Sequence, residues 1–222
     1  MTRPKALLSW SSGKDAAWAL HVLRQQGEVE VVGLLTTTNE AFERVAMHGV
    51  REALLAAQAE AAGLLLWKVP LPWPCSNEAY EACMAKVCGD AAAQGIESMA
   101  FGDLFLEDLR DYRIQKLAGT GLKPLFPIWN PDTASLAREM VAAGLKATLA
   151  CVDPRVLAAP FAGREFDAAL LADLPSTVDP CGERGEFHTF AWDGPMFRHP
   201  IAFHRGAVVE RDGFVFADLV PA

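Results

Sequence analysis

The chain has 222 residues and a formal net charge of −8, and 51% of its residues are apolar, which suffices for one α/β domain with a full hydrophobic core and a small appendage. The apolar residues come in short runs, all well below the roughly 20 residues that a membrane-spanning helix needs. The acidic balance argues against nucleic acid as the main partner. Only a few apolar or small residues precede Ser11, too few for the core of a secretory leader, so we expect a cytoplasmic protein.

Cysteine usage argues against a structural zinc site or a redox dithiol, because the five cysteines form no C-x-x-C pair. We expect them to be reduced residues that pack as small hydrophobic side chains. They are Cys75, Cys83, Cys88, Cys151 and Cys181.

The first two thirds of the chain alternate strand-like and helix-like segments, beginning with the short apolar run Lys5–Trp10. This alternation predicts a doubly wound parallel sheet with helices on both faces. The predicted strands are Lys5–Trp10, Glu30–Thr36, Leu64–Val69, Ser98–Phe101 and Lys146–Val152, and the predicted helices are Ala16–Gln26, Val50–Ala62, Asn77–Gln94, Leu106–Leu117 and Thr133–Ala143.

Composition changes after about Pro154, where glycine, proline and aromatic residues become more frequent. The segment Ala207–Leu219 is typical of a β-hairpin that turns at Asp212-Gly213. We therefore expect a main α/β domain over residues 1–153 and a smaller C-terminal α+β lobe over residues 154–222.

The junction between the first strand and the first helix has the sequence Ser-Trp-Ser-Ser-Gly-Lys-Asp-Ala over residues 9–16. In an open parallel sheet, ligands bind beyond the carboxyl ends of the strands, where this junction lies. The helix N-terminus offers unsatisfied N–H groups to an anion, and Ser11, Ser12 and Lys14 add hydroxyl groups and a positive charge. The junction predicts a phosphate site, although it matches neither common nucleotide loop and an ordinary capped helix start uses similar residues.

Four segments of the chain resemble a known family in the same order. Ser11–Ala16 is similar to the S-G-G-x-D-S loop of PP-loop ATP pyrophosphatases, and more specifically to that of the diphthine–ammonia ligase family and its short bacterial relatives. The other three segments are Phe101–Phe105 with the helix that bears Arg113, Leu122–Trp129 and Cys181–Phe190.

Two residues of the loop depart from the family pattern. Ser12 replaces a glycine, and Ala16 replaces a serine and so removes one hydroxyl group from the first turn of the helix. Because of the missing hydroxyl group, the alternative that the chain is a relative of these enzymes without activity stays open.

The resemblance implies a fold of the adenine nucleotide α hydrolase type, with ATP and Mg²⁺ as cofactors. A substrate carboxylate would attack the α-phosphate of ATP, and ammonia would then displace AMP to leave an amide. The residues expected to bind ATP are Ser9, Ser11, Ser12, Gly13, Lys14, Asp15, Ala16, His48 and Gly102, and those expected to act in catalysis are Lys14, Asp15, Asp103, Glu183 and Glu186.

Three carboxylates have alternative explanations. Asp103 follows the fourth predicted strand and so lies at the same edge as the loop, where it can hold Mg²⁺ through water or cap the next helix. Glu183 and Glu186 lie three apart in a glycine-rich segment that can bring both towards one ligand, such as an ammonium ion or Mg²⁺, or that forms a solvated turn. His188 stands where many relatives carry glutamate.

Other functions compete with the ligase. A PP-loop sulfur transferase or tRNA-modifying ligase usually needs cysteine pairs or a basic RNA surface, and the sequence has neither. An ATP-binding sensor or a degenerate PP-loop protein without ligase activity remains the main alternative. As partners we expect ammonia and a small-molecule or protein-borne carboxylate (diphthine, a corrinoid or another acid), and a homodimer is left open.

Overall fold

The computed structural model describes residues 2–39, 44–45 and 49–222. The described residues form ten strands and six α-helices. Strands and helices alternate along the first two thirds of the chain, after which strands predominate. The strands are β1 (Lys5–Ser9), β2 (Glu30–Asn39), β3 (Arg44–Val45), β4 (Leu65–Leu71), β5 (Ile96–Ala100), β6 (Lys123–Leu125), β7 (Lys146–Val152), β8 (Phe187–Asp193), β9 (Phe203–Arg211) and β10 (Phe214–Pro221). The helices are α1 (Lys14–Gln26), α2 (Glu52–Ala62), α3 (Asn77–Ala93), α4 (Glu107–Leu117), α5 (Thr133–Ala142) and α6 (Ala168–Asp173).

The main sheet is parallel in the order β4-β2-β1-β5-β6, and the short β3 pairs antiparallel with the end of β2. From β1 the chain first adds strands on one side and then, beginning with β5, on the other. This reversal of direction confirms the doubly wound α/β fold and places a crevice between the carboxyl ends of β1 and β5.

Strand β1 lies at the centre of this sheet and is buried on both faces. Leu8 packs into the core cluster that contains α1 and α2, whereas Leu7 packs into the cluster that contains residues of α3 and α4. A central parallel strand covered by helices on both faces needs apolar residues without alternation, which explains the continuous run in the sequence.

Local signals place the helix ends. Gly27 and Gly63 follow α1 and α2 with φ of 66° and 67°, the left-handed conformation that glycine adopts without a steric cost. The Ser76 hydroxyl group accepts a hydrogen bond from the backbone N–H of Ala79 at 3.2 Å and so caps α3.

A second, antiparallel sheet has the order β8-β7-β10-β9. The predicted hairpin is confirmed, because β9 and β10 pair antiparallel across a turn at Asp212-Gly213. The expectation that Lys146–Val152 continues the parallel sheet is wrong, since this strand pairs antiparallel with β8 and β10. A division into two domains at residue 153 stays a prediction.

The two sheets share one hydrophobic core. The larger core cluster combines residues of α1 and α2 with residues of β7, β8 and β10, for example Leu20, Leu55, Leu149 and Phe190. None of the helices in the described ranges combines the length and the apolar character needed to cross a membrane.

Candidate active site

A cavity of about 250 Å³ lies at the crevice between the carboxyl ends of β1 and β5. Four segments line it: the loop into α1, the loop after β5, helix α4, and the glycine-rich segment together with the start of β8. The structure thus brings together most of the predicted site residues, namely Ser9, Ser11, Gly13, Lys14, Asp15, Ala16, Gly102, Asp103 and Glu183. Ser12 and Glu186 do not line this cavity, and His48 lies outside the described residues.

The loop into α1 is held in shape by Gln58, a fully buried residue of α2 that the sequence analysis did not single out. The Gln58 amide nitrogen donates to the carbonyl oxygens of Ser12, at 2.9 Å, and Ala191, at 2.6 Å. Its amide oxygen accepts from the Trp10 indole N–H at 2.8 Å. Gln58 lies on the same buried face of α2 as Leu54 and Leu55. A polar residue on an otherwise apolar helix face was the sequence signal that could have revealed its role.

Ser12 adopts an unusual backbone conformation with φ of 69°, which favours glycine. Its carbonyl oxygen also accepts from the backbone N–H of Ala191 at 2.9 Å, so the surrounding structure fixes this conformation. The buried Ser12 hydroxyl group has no hydrogen-bond partner among the described residues. Packing with the C-terminal lobe therefore preorganises the loop, with some strain stored at Ser12.

Gly102 touches the first turn of α1. A Cβ atom at this position would lie 2.9 Å from the backbone nitrogen of Ala16 and from the carbonyl carbon of Asp15. Only glycine allows the loop after β5 to approach the first turn of α1 so closely, and this contact brings the two walls of the cavity together.

Lys14 connects the loop to the C-terminal lobe. Its ammonium group donates to both carboxylate oxygens of Asp15, at 2.9 and 2.8 Å, and to the carbonyl oxygen of Cys181. It also lies 5.5 Å from the ring centroids of Phe166 and of Phe187. Burial favours the neutral amine, but the Asp15 carboxylate holds the pKa of Lys14 above its ordinary value, so the side chain is charged.

Thr189 makes a second connection at the same place. Gly13 precedes α1 and has no side chain to cap the helix, and the Thr189 hydroxyl group of β8 instead accepts a hydrogen bond from the backbone N–H of Lys14 at 3.0 Å. The N-terminus of α1 is thus completed by a residue of the other sheet.

Asp103 forms a bidentate ion pair with Arg113. The Arg113 Nε and Nη2 atoms donate to the Asp103 carboxylate at 2.6 and 3.2 Å, and the guanidinium lies 4.3 Å from the Phe101 ring centroid. Helix α4 starts after Leu106 without a side-chain cap, so Asp103 does not cap it. Within the described ranges, no three histidine, cysteine or acidic side chains cluster as metal ligands, and Asp103 as a magnesium ligand stays a prediction.

The two glutamates of the glycine-rich segment differ in their surroundings. Glu183 lines the cavity and accepts a hydrogen bond from the backbone N–H of Leu104 at 2.8 Å. Burial, assisted by the negative charges of Asp15 and Asp103, raises the pKa of the Glu183 carboxyl to about 7.

Glu186 is buried and folds the segment itself. Its two carboxylate oxygens accept from the backbone N–H groups of Asp179, at 3.0 Å, and Arg184, at 2.9 Å. The alternative of a solvated turn does not hold for Glu186, which is 5% exposed, whereas Glu183 is partly exposed to the cavity. A direct catalytic role for Glu186 stays a prediction.

His188 and Cys181 complete the surroundings. Burial and the nearby Lys14 charge lower the pKa of His188, which lines the cavity, to about 4, so its imidazole is neutral at pH 7. Burial raises the pKa of the Cys181 thiol to about 12, and the side chain is 1% exposed, which agrees with the expectation that this cysteine packs as a small hydrophobic side chain.

Comparisons with known proteins identify related sequences. The family model described as the diphthamide synthase N-terminal domain matches residues 4–124, and the model of the diphthamide synthase C-terminal domain matches residues 132–214. The diphthine–ammonia ligase of Schizosaccharomyces pombe is 34% identical over 94 residues, which is 40% of this chain and 16% of that protein.

Vertebrate relatives match over longer segments. The diphthine–ammonia ligase of Danio rerio is 31% identical over 119 residues (50% of this chain and 46% of that protein), and that of Rattus norvegicus is 28% identical over 128 residues (55% and 48%). The chain thus spans about half the length of these relatives. Among solved structures, a U34-tRNA thiolase NcsA from Methanococcus maripaludis, with its [4Fe-4S] cluster, covers 60% of this chain and 55% of that chain, with 13% identity and a TM-score of 0.38.

Proposed function

Since the chain belongs to the diphthamide synthase family, whose N-terminal model alone spans more than half of it, we propose that it is an ATP-dependent, AMP-forming carboxylate–ammonia ligase. A carboxylate oxygen of the substrate attacks the α-phosphorus of ATP, and pyrophosphate leaves. Ammonia then attacks the acyl carbon, and AMP leaves with one of the original carboxylate oxygens. The observation that supports this proposal is the meeting of the helix N-terminus, Asp103 and Glu183 around one cavity.

The cavity suits the phosphates of ATP rather than the whole nucleotide. Its volume of about 250 Å³ equals that of roughly eight water molecules in the liquid, which is close to the size of a diphosphate. The N-terminus of α1 and the charge of Lys14 favour an anion here, and Gly13 and Gly102 expose backbone to it. These donors are fixed before the reaction, as electrostatic stabilisation of a leaving pyrophosphate requires.

Magnesium would enter with the nucleotide. Mg²⁺ prefers oxygen ligands and keeps several waters, so the phosphates and water can supply most of its coordination. In this proposal Asp103 would be the residue that holds the ion, through water, while its carboxylate remains paired with Arg113. The ion supplies neutralisation of the phosphate charge.

Glu183 is our candidate for handling ammonia. A carboxyl group with a pKa of about 7 is divided between its charged and neutral forms at physiological pH. The charged form holds an ammonium ion by its N–H groups and accepts a proton from it when the nitrogen attacks the acyl carbon. The neutral His188 imidazole adds no competing positive charge to the cavity. We expect the ligase to act in the cytoplasm on a free or protein-borne acid.

Product analysis tests the proposal. The protein is incubated with Mg-ATP, ammonium and a pool of carboxylic acids, and AMP with pyrophosphate is separated from ADP with phosphate. We expect acid-dependent AMP that falls at least a hundredfold in Glu183→Gln and is unchanged in Glu97→Gln, which alters an exposed carboxylate of β5. ADP and phosphate as products would contradict the proposal.

An ATP-binding sensor or degenerate relative is the second candidate, and Ala16 favours it. The Ala16 side chain is 4% exposed, in a turn that Gly102 approaches closely, and it provides no hydroxyl group for a phosphate. ATP that binds but gives no AMP with any acid, in both the protein and its Ala16→Ser variant, would support the sensor.

A further inference from the structure

A second cavity, of about 350 Å³, lies between α3 and α4 on the face of the sheet opposite α1. Its volume lies in the range of small-molecule binding pockets. The lining combines aromatic rings with methionine and cysteine side chains, which adapt their shape to apolar ligands. The apolar lining residues that define it are Tyr80, Met84, Cys88, Met99, Phe101 and Leu117.

This α3–α4 cavity adjoins the reaction cavity. Phe101 and Arg113 line both cavities, and the Arg113 guanidinium lies over the Phe101 ring while it holds Asp103. A ligand of the α3–α4 cavity that touches Phe101 and Arg113 therefore contacts two side chains of the reaction cavity's lining. The contact between the cavities consists of one aromatic ring and one cation.

Arg113 offers a hydrogen-bond donor to an anion in the α3–α4 cavity. The charged lining residues in the described part of the chain are Arg113, Lys116 and Glu81. Glu81 accepts a hydrogen bond from Lys116 at 2.6 Å and so balances that charge, and Asp103, which does not line this cavity, pairs with Nε and Nη2 of Arg113. The third guanidinium nitrogen, Nη1, can donate to a carboxylate, whereas Arg113 offers no acceptor to a cationic ligand.

We propose that the α3–α4 cavity binds the apolar part of the acid that the ligase activates, with the carboxylate directed past Arg113 towards the reaction cavity. The cavity volume of about 350 Å³ equals that of roughly twelve water molecules in the liquid, each of which has one heavy atom. The ligand class is therefore an alkyl or aryl carboxylic acid of roughly eight to twelve heavy atoms. The role of this acid as a substrate rests on the proposed function. Binding of the acid can be measured whether or not the protein is a ligase.

Two exposed alanines of α3 allow the cavity to be filled without disturbing the core. Ala82 and Ala85 both line the cavity and are exposed, so phenylalanine at either position projects into the cavity without displacing a buried side chain. Ala92 is also exposed on α3 but is not part of the lining, and it provides the matched control.

Calorimetry with octanoate, 3-phenylpropionate and the neutral octanamide tests the assignment. We expect both acids to bind at least tenfold more weakly to Ala82→Phe and Ala85→Phe, and unchanged to Ala92→Phe. Octanamide should bind the unaltered protein at least tenfold more weakly than octanoate. Acid binding that neither filling variant alters, or octanamide binding as tight as that of octanoate, would overturn the inference.

Measuring AMP with the same acids separates this inference from the proposed function. Acid binding that the filling variants weaken, without any AMP, would support the cavity as an acid site and count against the ligase. AMP formation from a small polar acid at the same rate in Ala85→Phe would support the ligase and overturn the inference. Acid-dependent AMP that is lost in Ala85→Phe and kept in Ala92→Phe would support both.

Discussion

Replacing Glu183 by glutamine is expected to stabilise the protein at pH 8 much more than at pH 4.5. Burial, with the charges of Asp15 and Asp103, raises the pKa of the Glu183 carboxyl from its ordinary 4.5 to about 7. The folded chain therefore binds this proton more tightly than the unfolded chain. The free energy of unfolding consequently falls as the pH rises from 4.5 to about 7 and changes little from this group above that range.

The magnitude follows from the interval between the two pKa values. At about 1.4 kcal/mol per pH unit, an interval from 4.5 to about 7 corresponds to about 3 kcal/mol of lost stability above pH 7. The backbone nitrogen of Leu104 lies 2.8 Å from Oε1 of Glu183, and glutamine retains an oxygen that can accept this hydrogen bond. The substitution therefore removes the charge and keeps the acceptor. We expect Glu183→Gln to gain about 2–3 kcal/mol at pH 8 and less than about 0.5 kcal/mol at pH 4.5.

Urea unfolding at pH 4.5, 6 and 8 measures this dependence. Glu97→Gln, in which the carboxylate is exposed, serves as the control and should change the free energy of unfolding by less than about 0.5 kcal/mol at each pH. A gain for Glu183→Gln that is the same at all three pH values, or a loss at pH 8, would refute the assigned environment of this carboxyl.

Three further substitutions test how the site is assembled. Lys14→Met leaves a buried carboxylate unpaired and releases the Cys181 carbonyl, and urea unfolding should show a loss of about 3–5 kcal/mol. Ser12→Gly removes a strained φ of 69° and should gain about 1 kcal/mol by the same assay. Gly102→Ala places a methyl group 2.9 Å from the Ala16 nitrogen, so it should cost about 1–3 kcal/mol and weaken ATP binding in calorimetry. Unchanged values for these variants would contradict the described contacts.

The fold was predictable where the signals are local. The run Lys5–Trp10 is apolar because β1 is buried on both faces, and Asp212-Gly213 marks a hairpin because both residues adopt positive φ. The position of the loop into α1 was also predictable, since a strand that leads directly into a helix is a local feature of the chain. By contrast, Lys146–Val152 is as apolar as a parallel strand, and its sequence holds no information on the direction of its neighbours. The sequence predicted no strand at β6, which has three residues, one of them Pro124.

The sequence singled out many of the residues that line the cavity but not their contacts, and their functional roles stay predictions. Lys14, Asp103 and Glu183 were all candidates, yet the direction of Lys14 depends on Cys181, which is 167 positions away in the chain. Glu186 resembles Glu183 in sequence, but it binds backbone N–H groups of its own segment. Such differences arise from tertiary packing, which residue spacing does not record.

Oxygen transfer from the acid to AMP tests the central claim most directly. An acid labelled with ¹⁸O in its carboxyl group, ideally the one that binds best in calorimetry, is incubated with the protein, Mg-ATP and ammonium, and AMP is analysed by mass spectrometry. Attack of the carboxylate on the α-phosphorus predicts one ¹⁸O atom in each AMP, with pyrophosphate unlabelled and the amide formed in equal amount. Unlabelled AMP, or label in inorganic phosphate together with ADP, would contradict the claim.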